Sequence, residues 1–289
     1  MSPAAMFFAF FTIGLWSFQA YLGASLNHVP PFLLAGIAMT IGGMVGVPKI
    51  HLWRVPVRTL LVGVGGIFGY VLLYFAALQH APAIEASLVN YLWPLLIVLL
   101  SPVFFREFAL RPYHLIGATF GLLGAGLIVT GGRVHLDMVN LPGYLFAAGA
   151  ALVWACYSLL TKKVPAFPNA AVGAFCLISG ILSLSIHFAV EPAYTPSSRD
   201  LIFLLLLGIG PIGGSCFTWT AAITRGDPRI IGSLSYLTPL TSTLVLVVLG
   251  RHPFSAAAAV AMLLIVSGAV IGSLDLFRPG TARNAALNR

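Results

Sequence analysis

Long apolar runs separated by short polar gaps follow one another along the whole chain. Ten of them hold about 18 or more residues, the length a helix needs to cross a bilayer. They cover 4–23, 31–48, 58–79, 83–104, 113–131, 142–161, 169–189, 201–222, 229–249 and 254–276. The pattern predicts an all-α integral membrane protein of ten transmembrane helices. The gaps leave no room for a separate soluble domain.

The pattern also repeats. Residues 60–106 match 205–251 with 15 identities in 47 positions. The shared residues include Gly63, Gly65 and Gly69 with Gly208, Gly210 and Gly214, and a Tyr-Leu-x-Pro-Leu core at Tyr91 and at Tyr236. A weaker match pairs Trp16, Leu22, Pro30 and Gly42 with Trp154, Leu160, Pro168 and Gly180. It makes the first span the counterpart of the sixth and argues against a cleaved leader, which would have no reason to be duplicated. The chain thus divides into a first five-helix repeat, 1–138, a second, 139–277, and a tail, 278–289. Because five is odd, the second repeat crosses the membrane upside down. Inverted repeats are a transporter pattern, with a central cavity between halves that opens to either side in turn.

Composition agrees. The chain is 59% hydrophobic and 8% charged, against roughly 25% charged in a soluble domain. Its net charge of +8 is unevenly spread. With the N-terminus on side one, that side holds Lys49, Arg54, Arg58, Arg106, Arg111, Lys162, Lys163, Arg225, Arg229, Arg278, Arg283 and Arg289, and side two only Arg133, Arg199 and Arg251. Basic residues gather in cytoplasmic loops, so both termini are expected in the cytoplasm. The charge follows from topology and implies no nucleic acid. Cys156, Cys176 and Cys216 lie inside spans and imply no disulfide framework. No P-loop, His-Glu-x-x-His or Gly-x-Ser-x-Gly pattern occurs, and no dense acidic or histidine cluster. A membrane enzyme, a metal centre and a bound cofactor therefore lack support. The expected partners are a small-molecule substrate and the lipid bilayer, and a monomer is the expectation.

Candidate site residues follow from polarity at depth. Ser87, Asn90, Tyr91 and Pro94 recur at helical spacing and share one face, answered in span nine by Gly232, Ser235, Tyr236 and Pro239. Polar groups in hydrocarbon need partners, so both faces should look inward, whether to bind substrate or to bond helix to helix. Pro94, Pro211 and Pro239 sit inside spans, interrupt their helices and are the hinge candidates. Trp16, Tyr70, Trp93 and Trp154 fall near mid-membrane, where an indole N–H needs a partner and a cavity supplies one. Trp53, Tyr113, Tyr194 and Trp219 fit the interfacial belts, and His187 fits a helix end at the interface. Glu85 is the acidic residue well inside a span. It is a candidate coupling or cation site, or else a first-turn residue that favours the helix dipole. Glycine pairs four apart at 42/46, 65/69, 117/121, 210/214 and 268/272 suggest close helix contacts.

The run Phe75-Ala-Ala-Leu-Gln-His-Ala-Pro-Ala-Ile-Glu-Ala-Ser-Leu-Val-Asn-Tyr-Leu-Trp-Pro-Leu-Leu, with Arg106-Glu107 beyond it, resembles the EamA type of the drug/metabolite transporter superfamily. The resemblance covers essentially the whole chain, and residues 82–95 are similar to the aromatic amino-acid exporters within it. It implies a multi-pass protein of the bacterial inner membrane that exports aromatic and other neutral amino acids, with Asn90, Tyr91 and Trp93 in the substrate cavity. A multidrug or cation exporter of the same superfamily is the alternative, with Glu85 as the cation partner. The first span lacks the buried glutamate of the small four-helix multidrug members, so their proton antiport does not carry over. The second repeat ends Arg251-His252 where Arg-Glu is usual.

Overall fold

The computed structural model describes residues 1–133, 137–250 and 256–277. Arg251, His252 and the tail 278–289 lie outside them. Fourteen helices follow in order: α1 (Pro3–Ser17), α2 (Gln19–Ala24), α3 (Pro31–Val45), α4 (Val57–His80), α5 (Ala83–Asn90), α6 (Trp93–Phe104), α7 (Pro112–Thr130), α8 (Leu141–Lys163), α9 (Val172–Val190), α10 (Ser198–Ile209), α11 (Gly213–Arg225), α12 (Pro228–Ser235), α13 (Leu237–Gly250) and α14 (Ala256–Gly272). Prolines open several of them, where a missing N–H costs the helix nothing. Ser197 and Asp200 cap α10 reciprocally.

Among the described residues, eight stretches are long and apolar enough to cross a bilayer. Four of these are composite: Pro3–Ala24, Ala83–Phe104, Ser198–Arg225 and Pro228–Leu249 each join two helices. The predicted second span differs. Gly46 closes α3, and the chain turns through 81° into a 3-10 segment that carries Pro48, so α3 reaches spanning length only if that bend is included. Within the described residues, the apolar part of α14, Ala259–Gly272, is also shorter. Large apolar side chains cover the outside, among them Phe188 at 80%, Val103 at 74% and Leu263 at 73% exposed. Such a surface suits lipid, where no water competes for apolar groups.

Four close helix pairs build the core: α7 with α14, α3 with α9, α4 with α8, and α1 with α11. Small residues set the approach. A Cβ on Gly117 would lie 2.4 Å from the Gly272 backbone, and one on Gly42 would lie 2.3 Å from that of Gly213. The 65/69 pair makes no such contact. Gly65 faces open space, and the nearest atom to a Cβ on Gly69 is a Val153 methyl at 3.4 Å. The repeat relation runs through these pairs. Spans two and seven are counterparts and pack together, as do spans five and ten, and the packing of span three on six is answered by that of eight on one.

Polar networks tie the two ends. At one, Glu191 accepts from the Phe32 and Leu33 N–H groups at 2.9 and 3.2 Å, which places a carboxylate at the α3 N-terminus. His187 Nδ1 lies 2.8 Å from the same carboxylate; the residue sits in the last turn of its helix and is buried. Its helix packs against α3, so the ring faces protein instead of headgroups. Nearby, Asp200 accepts from the Tyr194 hydroxyl at 2.8 Å, and that bond raises the Tyr194 pKa above its ordinary value. At the other end, Arg229 pairs with Asp227 at 2.6 Å and Asp275 at 3.3 Å, and Lys162 donates to the Ile223, Thr224 and Gly226 carbonyls at the end of α11.

Candidate functional site

Three of the composite spans break where their sequences carry proline. In span four the break is Tyr91-Leu92, and Pro94 is the second residue of α6. In span nine it is Tyr236, with Pro239 two residues into α13. Both prolines therefore lie just after the break, in the first turn of the continuing helix. Span eight breaks at 210–212 around Pro211. There Ile212 N–H donates to Leu207 O and Ser215 N–H to Gly210 O, at 2.9 and 2.8 Å. These five-residue bonds form a π-type bulge, because Pro211 offers no N–H to continue the ladder.

The breaks bring side chains from both halves together. Trp16 of α1, Trp93 of α6, Trp154 of α8 and Trp219 of α11 form one aromatic group. Trp16 has its ring centre 5.8 Å from Trp93, 6.3 Å from Trp154 and 5.1 Å from Trp219. Trp93 meets Trp219 edge to face at 5.5 Å. Tyr70 joins at 5.2 Å from Trp154 and stacks on Tyr74 at 5.7 Å. Such contacts hold rings in fixed relative orientations. Trp93, Trp154 and Trp219 are buried, whereas Trp16, Tyr70, Tyr74, Ser87 and Tyr91 keep part of their surface accessible.

Polar atoms border the rings. Asn90 donates its amide NH2 to the Tyr70 hydroxyl at 3.2 Å. The Tyr74 and Ser87 hydroxyls are bonded at 3.0 Å. Trp219 Nε1 donates to Ser158 Oγ at 3.0 Å. The Thr12 and Thr218 hydroxyls, one from each half, lie 2.7 Å apart. Among the described residues, two buried oxygens on the broken helices have no hydrogen-bond partner, Asn90 Oδ1 and Thr238 Oγ1. The aromatic group and its polar border contain no formally charged residue.

The structure thus gathers Trp16, Tyr70, Ser87, Asn90, Trp93 and Trp154. Tyr91 adjoins the break but packs on a separate cluster with Val98, Ala118 and Tyr236. Tyr236 is fully buried in that cluster and serves the opposite break, donating to Tyr91 O and accepting from Leu95 N–H, each at 3.2 Å. Glu85 lies apart. Its carboxylate accepts from the Tyr144 hydroxyl, and from Asn140 at 3.3 Å. The interfacial expectation for Trp219 is wrong. It is 1% exposed at the centre of the aromatic group, and α11 runs on past it to Arg225, so the residue lies well inside the helix. Trp219 and Tyr74 are counterparts at the 145-residue offset, so the repeat marked both residues.

The chain matches the EamA-like transporter family over residues 3–130 and 141–274. It is 41% identical to the aromatic amino acid exporter YddG of Ancylobacter novellus, over 94% of this chain and 97% of that one. It is 28% identical to the Salmonella typhimurium protein of the same name, over 88% and 91% of the two chains. A solved crystal structure superposes with a TM-score of 0.90 at 41% identity, covering 95% of this chain and 98% of that one. The two-part match and the extent of these likenesses make the chain a member of the EamA-like transporter family, a multi-pass membrane transporter and not an enzyme.

Proposed function

We propose that this protein exports aromatic and other neutral amino acids, or similar small metabolites, across the bacterial inner membrane by alternating access. The observation that carries the reading is the aromatic group itself. Four tryptophans from four spans of both halves meet beside the broken helices, with neutral hydrogen-bonding groups at their border. Flat apolar faces suit an aromatic side chain, and neutral polar atoms suit a zwitterion. The substrate site comprises Trp16, Tyr70, Ser87, Asn90, Trp93 and Trp154, with Trp219 and Tyr74 added. Tyr91 and Tyr236 hold the breaks on which it turns, and Pro94, Pro211 and Pro239 mark the hinges. Ten spans form two inverted repeats, 1–138 and 139–277, with both termini in the cytoplasm. Exchange of the helix pairs between halves and the basic side-one loops support this topology. The names of the relatives support the substrate class.

Proteoliposomes that hold only this protein are expected to release preloaded labelled phenylalanine or tryptophan faster than empty liposomes. Release at the empty-liposome rate for every amino acid in a panel sinks the reading. Transport of cationic dyes that disappears in Glu85→Gln, with no amino-acid flux, indicates a multidrug exporter instead.

A further inference from the structure

We propose that the side-chain oxygen of Asn90 receives the ammonium group of the transported amino acid. The proposal rests on the reading of the aromatic group as the substrate site and says which end of the substrate is recognised there.

Asn90 is 7% exposed and ends α5, one helical turn before Trp93. Its amide has two ends, and one is occupied. The NH2 donates to the Tyr70 hydroxyl, and the oxygen is the free end. That oxygen is buried without a hydrogen-bond partner. A buried unpaired acceptor is costly, and a ligand N–H removes the cost. Tyr70 connects the amide to the aromatic faces, since its ring lies against Trp154 and Tyr74. The Asn90 amide therefore stands beside Tyr70, whose ring in turn adjoins Trp154.

Charge decides which donor. Aromatic faces attract cations and repel anions. No Lys, Arg, Asp or Glu belongs to the aromatic group or its polar border. The half-buried Lys162 directs its ammonium to three backbone carbonyls at the end of α11. A carboxylate entering first would meet π faces and no cation. An ammonium meets π faces and a free carbonyl oxygen. A neutral acceptor also suits a carrier, which must let its cargo go. A buried carboxylate in its place would form an ion pair that is costly to break.

The test uses the purified full-length protein. Binding is read from tryptophan fluorescence, and exchange is read in proteoliposomes. Three probes separate the two ends of the substrate: L-phenylalanine, phenethylamine, which lacks the carboxylate, and 3-phenylpropionate, which lacks the amine. In the unaltered protein phenethylamine is expected to bind within about tenfold of phenylalanine, and 3-phenylpropionate at least about tenfold more weakly than the amine. Asn90→Leu is expected to erase the preference for the amine. Asn90→Asp keeps the acceptor and is expected to retain or increase that preference, a readout that stands even if the leucine variant fails to fold. Equal binding of amine and acid by the unaltered protein overturns the proposal, as does a leucine variant that weakens both probes equally. Phenylalanine binding unchanged in Trp16→Ala and Trp93→Ala overturns the aromatic site itself.

Discussion

Helix α4 runs unbroken for 24 residues and α8 for 23, and the two lie against each other. Their repeat counterparts, spans eight and one, also lie against each other, through α11 and α1. Both of those are interrupted, span eight by the π-type bulge at 210–212 and span one by a turn at Phe18. The packing is the same and the continuity is not. One substitution in the repeat accounts for the bulge. Gly66 of α4 keeps its backbone N–H and is so close to the Tyr157 ring that a Cβ would lie 2.4 Å from it. Its counterpart, Pro211, has no N–H to give. A duplicated scaffold has thus acquired one stiff pair and one jointed pair, and Trp219 and Trp16 belong to the jointed one.

The difference can be broken experimentally at counterpart positions. The largest effect is expected at Trp219. Trp219→Ala removes a fully buried ring that touches three other tryptophans and bonds Ser158, so it is expected to cost about 3–5 kcal/mol. Tyr74→Ala, its counterpart on the stiff pair, removes a half-buried ring and is expected to cost about 1–2 kcal/mol. Unfolding of the detergent-solubilised variants ranks the two, and equal losses would show that the pairs are not differently built.

Gly214→Ala comes next. A Cβ there would stand 2.0 Å from the Ile209 carbonyl oxygen across the bulge, so either the bulge or the helix must give way, at about 3 kcal/mol. Gly69→Ala, the counterpart, is expected within about 0.5 kcal/mol of the unaltered protein. Size-exclusion profiles and melting temperatures distinguish the outcomes, and a well-folded Gly214→Ala of unchanged stability would show that the joint has room for a side chain.

Lys162 ties the end of stiff α8 to the end of jointed α11. Lys162→Met leaves its three carbonyl acceptors unserved and is expected to cost about 1–3 kcal/mol. It is also expected to increase cysteine labelling at the end of α11. Gly65→Ala is expected to act in the opposite direction, since a Cβ there meets nothing within 4 Å. Greater helix propensity is expected to stabilise α4 by about 0.5–1 kcal/mol. A loss of stability there would mean that α4 has a hidden neighbour.

Much of the framework could be read from residues alone. Apolar runs located eight stretches of spanning length within a few residues, and the Tyr-Leu-x-Pro-Leu motif located both central breaks. Mid-span depth brought Trp16, Trp93 and Trp154 together correctly. Depth failed for Trp219, because the apolar run stops at 222 and places it near a span end, whereas α11 continues to Arg225. Depth also could not separate Tyr91 from Tyr236, which share a motif. Their difference arises in three dimensions, where the Tyr236 ring lies against Gly121 and its hydroxyl reaches the other half. The 81° bend after α3 was hidden because Pro48 fell at the very end of an apolar run.

The Tyr236 hydroxyl is bonded to the break in span four, and among the described residues no reciprocal bond runs from the Tyr91 hydroxyl to the break in span nine. In a carrier of the proposed kind, the two end states are mirror images only if such bonds are mirrored. An unmatched bond gives the two orientations unequal free energies, so the empty carrier rests facing one side. Half-saturation constants measured from the two faces of oriented vesicles are then expected to differ. The gradient at which net flux stops is set by thermodynamics and stays the same in either direction.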